Sequence, residues 1–330
     1  MKNRILSFKH FMKTLLGMAL LCSSYYFVSC SQTGKNKTKS DLIQVVATTG
    51  MIGDAAKVIA GHKALVNTLM GPGVDPHLYK ATQGDVELLS NADLILYNGL
   101  HLEGKMTEAL ASMSMTISTV PVSSDIPHDQ LRAPPEFKGH FDPHVWFDVK
   151  LWSQAVTRIT QALVEADSAS AGFFMARGQA YLDTLATLDS WIKDRIKEIP
   201  EKDRVMITAH DAFGYFGRAY GMEVRGLQGI STVAEYGLND ITSLVDLLVE
   251  RKIKAVFVES SVPRRSIEAV VEGCRARGHE IKIGGELFSD ALGTAGTPEG
   301  TYIGMVRHNV NIIVNALAVD EIANLNDSAK

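Results

Sequence analysis

With 330 residues, 46% of them hydrophobic, the chain exceeds what one ordinary core holds, so two domains or one large α/β unit is expected. Its 33 Lys and Arg against 37 Asp and Glu leave a formal charge of −4. That balance offers no electrostatic footprint for nucleic acid or an anionic lipid surface and directs attention to a small ligand.

The first thirty residues differ from the rest. Lys2, Arg4, Lys9 and Lys13 precede the apolar run TLLGMALLCSSYYFVSC, long enough for an export signal and short of the roughly 20 apolar residues a membrane span needs. Cys30 follows Val28 and Ser29, medium and small residues that resemble a lipoprotein processing site, although Phe27 stands where that pattern usually has Leu. Cys22, after Leu20 and Leu21, fits less well. Residues 1–29 are read as a lipoprotein signal peptide and Cys30 as the lipid acceptor, with an uncleaved amphipathic anchor as the alternative. Without that segment 29 basic residues face 37 acidic ones, a balance of −8. A lipid on Cys30 leaves Cys274 without a partner, so no structural disulfide is expected even though export would permit one. Residues 30–41, containing SQTGKNKTKSD, have no apolar side chain after the cysteine and read as a flexible tether.

From Leu42 onward short β-rich runs alternate with longer helical ones. LIQVVATT, ALVNTLM, DLILYNG and TISTV are four to eight residues long, bounded by Gly, Asp or Asn, and each precedes a segment of helical character. Such βαβ order predicts a mainly parallel sheet flanked by helices, with ligands beyond the carboxyl ends of the strands. Residues 42–166 are assigned to this amino-terminal α/β lobe. Next, Phe174, Tyr181, Leu185, Leu188, Ile192, Ile196 and Ile199 recur at intervals of three, four or seven with no intervening proline, which predicts one long helix with an apolar face. It would run roughly 39 Å and end at Pro200. Residues 167–200 are therefore placed as a linking helix, with a helix hairpin inside one domain as the alternative. RVMITAH, MEVRGLQ, KAVFVES and EIKIGG repeat the strand pattern and define a carboxyl-terminal α/β lobe over residues 201–330. A rigid connector favours small over wide hinge opening.

Asp-Pro-His occurs twice, as Asp75-Pro76-His77 and Asp142-Pro143-His144. In each the proline holds its own φ near −65° and pushes the residue before it toward extended geometry, so the following imidazole is presented with little backbone freedom. A single loop histidine is more often a hydrogen-bonded surface residue than a ligand, but two in matched strand-to-helix loops favour metal binding. His210 ends a predicted strand, and Asp290 lies in the glycine-bounded loop GGELFSDALGTAG, where an open α/β sheet binds ligands. Three imidazoles and one carboxylate form a standard set for a divalent transition ion. His140 lacks the Glu of a zincin HExxH helix and is read as a surface residue. His62, His101, His279 and His308 are read as solvated or structural. Glu235 and Glu259 are candidates to orient a ligand imidazole, or simple turn residues. Trp146 and Phe147 are read as core packing beside the ligand loop.

Together GVDPHLYK, FDPHVWFD, ITAHDAFGYFGRAYG, GISTVAEYGLND and ELFSDALG resemble the metal-binding lipoproteins of the cluster A-I family, the zinc, manganese and iron solute-binding components of ABC importers. The resemblance covers nearly all of the mature chain. It implies two α/β lobes bridged by one long helix, an ion in the cleft between them, and His77, His144, His210 and Asp290 as ligands. It further implies a monomer anchored to the membrane through a lipid on Cys30 that delivers its ion to a permease and an ATPase subunit, without any role for nucleic acid. In the family, Glu at the third ligand position tends to accompany manganese or iron and His to accompany zinc, although some members with three His and one Asp accept more than one metal. Here that position is His210, and borderline-soft imidazole nitrogen also favours zinc. The long His- and acid-rich loop of many zinc-specific relatives is absent, with only His128 and His140 between Val120 and Asp142. Zn2+ is the favoured ion, with Mn2+ or Fe2+ as the alternative. A zinc-dependent hydrolase is the competing class, but it would need an open fourth position that four protein ligands close. Coordination needs neutral imidazoles, so affinity is expected to fall as pH drops through roughly 6 to 5.

Overall fold

The eight runs predicted as strands all form strands, and every ladder among them is parallel. The computed structural model describes residues 42–135, 137 and 139–318. The expected signal peptide, Cys30 and the tether lie outside the described residues.

In the first lobe β1 (Ile43–Ala47), β2 (Ala64–Thr68), β3 (Leu94–Tyr97) and β4 (Ser118–Pro121) make one sheet in the order β2-β1-β3-β4. Val45, Val46 and Ala47 of β1 and Leu94, Ile95 and Leu96 of β3 are almost wholly inaccessible. Central strands of a parallel sheet covered on both faces require such continuous apolar runs. The edge strand β2 alternates instead, leaving Leu65 exposed. Helices α1 (Gly50–Ala60), α2 (Gln83–Ser90), α3 (Thr107–Ser114) and α4 (Val149–Ala166) complete the lobe. Thr82 and Asp85 form a reciprocal capping box that starts α2, and the Asp148 carboxylate accepts from the Lys150 and Leu151 amides to start α4.

The long helix α5 spans Ala171–Ile196, 26 residues and about 39 Å. Its buried face carries Phe174, Tyr181, Leu185, Leu188, Ile192 and Ile196, which pack against α1 and α4. Its last helical residue is Ile196 rather than Ile199. Proline disfavours helical geometry in the residue before it, and the three residues ahead of Pro200 form turns that still bury Ile199.

The second lobe departs from a single sheet. β5 (Val205–His210) pairs with β6 (Glu223–Gln228), and β7 (Ala255–Glu259) pairs with β8 (Lys282–Leu287), as two separate parallel ladders with β5 alongside β7. At the carboxyl end of that seam the His210 amide donates to the Glu259 carboxylate at 2.8 Å instead of to a neighbouring strand carbonyl. Helices α6 (Gly214–Tyr220), α7 (Leu238–Arg251) and α8 (Arg265–Ala276) follow, and α9 (Tyr302–Leu317) returns to pack on α1 and α5. One hydrophobic core therefore holds residues of both lobes, among them Met51, Trp152, Leu185, Phe213, Leu287 and Tyr302. Each such fully buried side chain contributes about 1.5–3 kcal/mol, and wide separation of the lobes would expose this shared core. Among the described residues no helix is long and apolar enough to cross a membrane.

Candidate metal centre

Each Asp-Pro-His loop is a closed local device. The Asp75 carboxylate accepts the His77 amide at 2.8 Å, and the Asp142 carboxylate accepts the His144 amide at 2.9 Å. The aspartate thus fastens the backbone two residues on, while the proline between them offers no competing donor. His77 follows β2, and His144 precedes α4. His210 is the last residue of β5, Glu259 the last of β7, and Asp290 lies just beyond β8. These three sit at the carboxyl ends of their strands, where the topology of an open parallel sheet leaves room for a ligand.

Folding brings His77, His144, His210 and Asp290 together, each with one ligand-type atom within 4.8 Å of those of the others. His77 Nε2 is 3.3 Å from His144 Nε2. Asp290 Oδ1 is 3.4 Å from His144 Nε2, and Asp290 Oδ2 lies 3.3 Å from His210 Nε2 and 4.0 Å from His77 Nε2. A tetrahedron with bonds of about 2.0–2.1 Å has edges of about 3.3–3.4 Å; three of these contacts have that length, and the His77 to Asp290 contact is longer. All four residues are buried, none more than 2% exposed.

Two of the imidazoles are held from behind. Asp142 Oδ1 is 2.8 Å from His144 Nδ1, and Glu259 Oε2 is 2.6 Å from His210 Nδ1. Asp142, hydrogen-bonded to Nδ1, keeps a proton there and turns His144 Nε2 toward the centre, while the Glu259 carboxylate faces His210 Nδ1 as a close charged neighbour. Burial alone would pull the His144 pKa down, but the hydrogen bond to Asp142 and the charges of Asp142 and Asp290 outweigh it and raise it to about 9. Burial likewise opposes the charged form of His210, yet the Glu259 and Asp290 charges raise it well above the ordinary histidine range. His77 has no such partner, and burial pulls it down to about 3. Asp290 is held well below the usual carboxylate range, burial being outweighed by the His210 and His144 imidazoles. His210 Nε2 and both Asp290 oxygens are buried without a hydrogen-bond partner. Such orphaned groups cost about 1–3 kcal/mol each, and a cation between them would satisfy all three.

Glu235, one of the two candidate orienting residues, is exposed on the loop before α7. Glu259 is the one that faces a histidine. Asp142 escaped the sequence reading as an orienting residue, although its place two residues before His144, repeated by Asp75 before His77, was a visible signal. Trp146 is 1% exposed and donates from Nε1 to the Ser289 carbonyl at 3.1 Å, tying the His144 loop to the Asp290 loop. Asp75 Oδ2 accepts from Thr232 Oγ1 at 2.6 Å and so ties the His77 loop to the second lobe. His101 and His140 are exposed, with ring centroids 4.3 Å apart, and His279 is tied to the Ile253 carbonyl at 2.7 Å. A cavity of about 670 Å³, lined by Tyr97, Glu103 and His128 among others, does not include the four central residues. Glu259→Gln, which weakens the hold on His210 Nδ1, is expected to lower metal affinity by about 10–100-fold, read by competition with a chelating dye.

Residues 45–316 match the family described as zinc-uptake complex component A, periplasmic. The manganese-binding lipoprotein MntA of Bacillus subtilis is 49% identical over 306 residues, 93% of this chain and 100% of that protein. The zinc-binding protein TroA of Treponema pallidum is 52% identical over 274 residues, 83% of this chain and 88% of that one. A solved structure of the periplasmic TroA superposes with a TM-score of 0.82 at 51% identity, covering 84% of this chain and 99% of that one. The iron ABC transporter substrate-binding lipoprotein MtsA of Streptococcus pyogenes serotype M1 is 34% identical over 313 residues, 93% of this chain and 98% of that protein. The chain belongs to the cluster A-I family of metal-binding, substrate-binding components of ABC importers.

Proposed function

We propose that the protein captures one divalent transition metal ion as cargo, held by His77, His144 and His210 through Nε2 and by the Asp290 carboxylate, and releases it to an ABC permease driven by its ATPase subunit. The observation that carries this reading is the set of buried, unpartnered atoms on His210 and Asp290, gathered with His77 and His144 so that the ligand-type atoms of all four lie within 4.8 Å of one another. Zn2+ is the favoured ion because three of the four donors are imidazole nitrogens; the manganese and iron named for relatives keep Mn2+ and Fe2+ as the alternative. In this reading residues 42–166 and 201–330 are the two lobes, 167–200 is the connector, and the protein is an exported monomer held to the membrane by a lipid on Cys30. Four protein donors leave no place for an activated water, so binding without hydrolysis is expected.

The test is elemental analysis of protein purified without added metal, followed by competition among zinc, manganese and iron. One tightly held ion per chain supports the reading; a chain that binds none of the three stoichiometrically refutes it. His210→Glu should weaken zinc by on the order of tenfold more than manganese, since a harder donor replaces a softer one. Both metals should also bind less tightly than in the wild type, because the new carboxylate enters beside Glu259. Equal competition by the two metals before and after the change would remove the specificity argument.

A further inference from the structure

Arg132, between β4 and α4, has Asp142, Asp211 and Tyr215 as polar partners rather than the four central side chains, and it connects the supports of two of them. Its Nη1 donates to Asp142 Oδ2, while the other oxygen of that carboxylate holds His144. Its Nη2 lies 3.9 Å from Asp211 Oδ2, on the residue that follows His210. The Arg132 amide donates to the Tyr215 hydroxyl at 3.0 Å, and that hydroxyl donates to the Asp142 carbonyl at 2.9 Å. The Asp142 amide returns to the Arg132 carbonyl at 2.9 Å. A Cβ at Gly214 would fall on the guanidinium itself, so the arginine passes the start of α6 only because that residue is glycine. One guanidinium thus stands between a wholly buried carboxylate behind His144 and a carboxylate beside His210, with the three side chains 23%, 0% and 17% exposed.

We propose that Arg132 is a positioning residue that couples the His144 loop of one lobe to the His210 loop of the other and thereby sets how long the bound ion stays. The inference rests on the four-residue site proposed above. A planar guanidinium can address two carboxylates at once, whereas a lysine ammonium is a single point charge on a flexible stem. Without the guanidinium, Asp142 and Asp211 repel each other across the cleft, and the His144 to His210 edge of the site is the first to open.

The experiment uses the full chain loaded with zinc and measures ion dissociation into excess chelating dye, together with the melting temperature of the metal-free form. Arg132→Lys should speed dissociation by roughly 10–100-fold, and Asp211→Asn should shift it in the same direction by less. The double variant should release no faster than Arg132→Lys alone, since both changes break one link. A purely structural arginine would lower the metal-free melting temperature and leave dissociation unchanged. Asp211→Asn removes only the partly exposed partner, so it carries the test if the arginine variant does not fold. Dissociation within about twofold of wild type in the folded variants overturns the inference. His144→Ala serves as the separate control: if it binds zinc as wild type does, the metal-site reading fails instead.

Discussion

Metal affinity is expected to fall by roughly 10⁴-fold between about pH 7.5 and about pH 5.5, because in the proposed site two protons compete with the ion over that whole range. The metal-free protein carries an Nε2 proton on His144, whose pKa is raised to about 9, and on His210, raised well above the ordinary range. The ion must displace both. Each displaced proton makes the association constant change tenfold per pH unit, and the sign follows from the raised values: protonation strengthens as pH falls, so affinity falls with it. The slope lessens once pH passes about 9, where His144 ceases to contribute a proton. His77, pulled down to about 3, stays neutral and adds no slope in this range. Unperturbed imidazoles would confine the loss to the interval from pH 6 to 5 expected from the sequence. Asp142 and Glu259 move it upward by stabilising the imidazolium forms. Dissociation constants by chelator competition at stepped pH, with calorimetry in two buffers of different ionisation enthalpy, read both the slope and the protons released. A flat affinity between pH 7 and 8 would contradict this account.

Asp290→Ala is expected to lower zinc affinity by roughly 100-fold or more. A closed four-ligand zinc site binds with about 10–16 kcal/mol at neutral pH, so one ligand in four carries about 3 kcal/mol, or roughly two decades in dissociation constant. The loss should exceed a simple quarter because Asp290 is the only carboxylate among the four proposed donors and lies within 4.0 Å of all three imidazoles. Without it a divalent charge is buried against neutral nitrogens, which low-dielectric surroundings disfavour. Asp290→Asn keeps the shape and one oxygen donor, and it should fall between wild type and Asp290→Ala. Calorimetric titration with zinc checks both. An alanine variant that binds within about tenfold of wild type would exclude Asp290 from the shell.

Much of the architecture was legible in the chain. Strand runs such as VMITA and AVFVE are mostly apolar because both faces of their strands are covered, and the spacing from Phe174 to Ile196 records one buried face of α5. The division of the second lobe into two ladders was not legible, since strand composition does not say which strands share hydrogen bonds. Nor was the shared core, which arises because α9 crosses back onto α1 and α5.

The candidate site divides in the same way. The amino-acid sequence by itself determined the order of strands and helices and the paired Asp-Pro-His loops, because periodicity, proline geometry and an aspartate two residues before a histidine all act within a few residues. Only the tertiary structure decided that Glu259 and not Glu235 stands behind His210, and that Arg132 links Asp142 to the segment after His210. Those relations depend on how the two lobes meet along α5 and the shared core, where a shift of one ångström decides whether two charges touch and no local pattern records the distance.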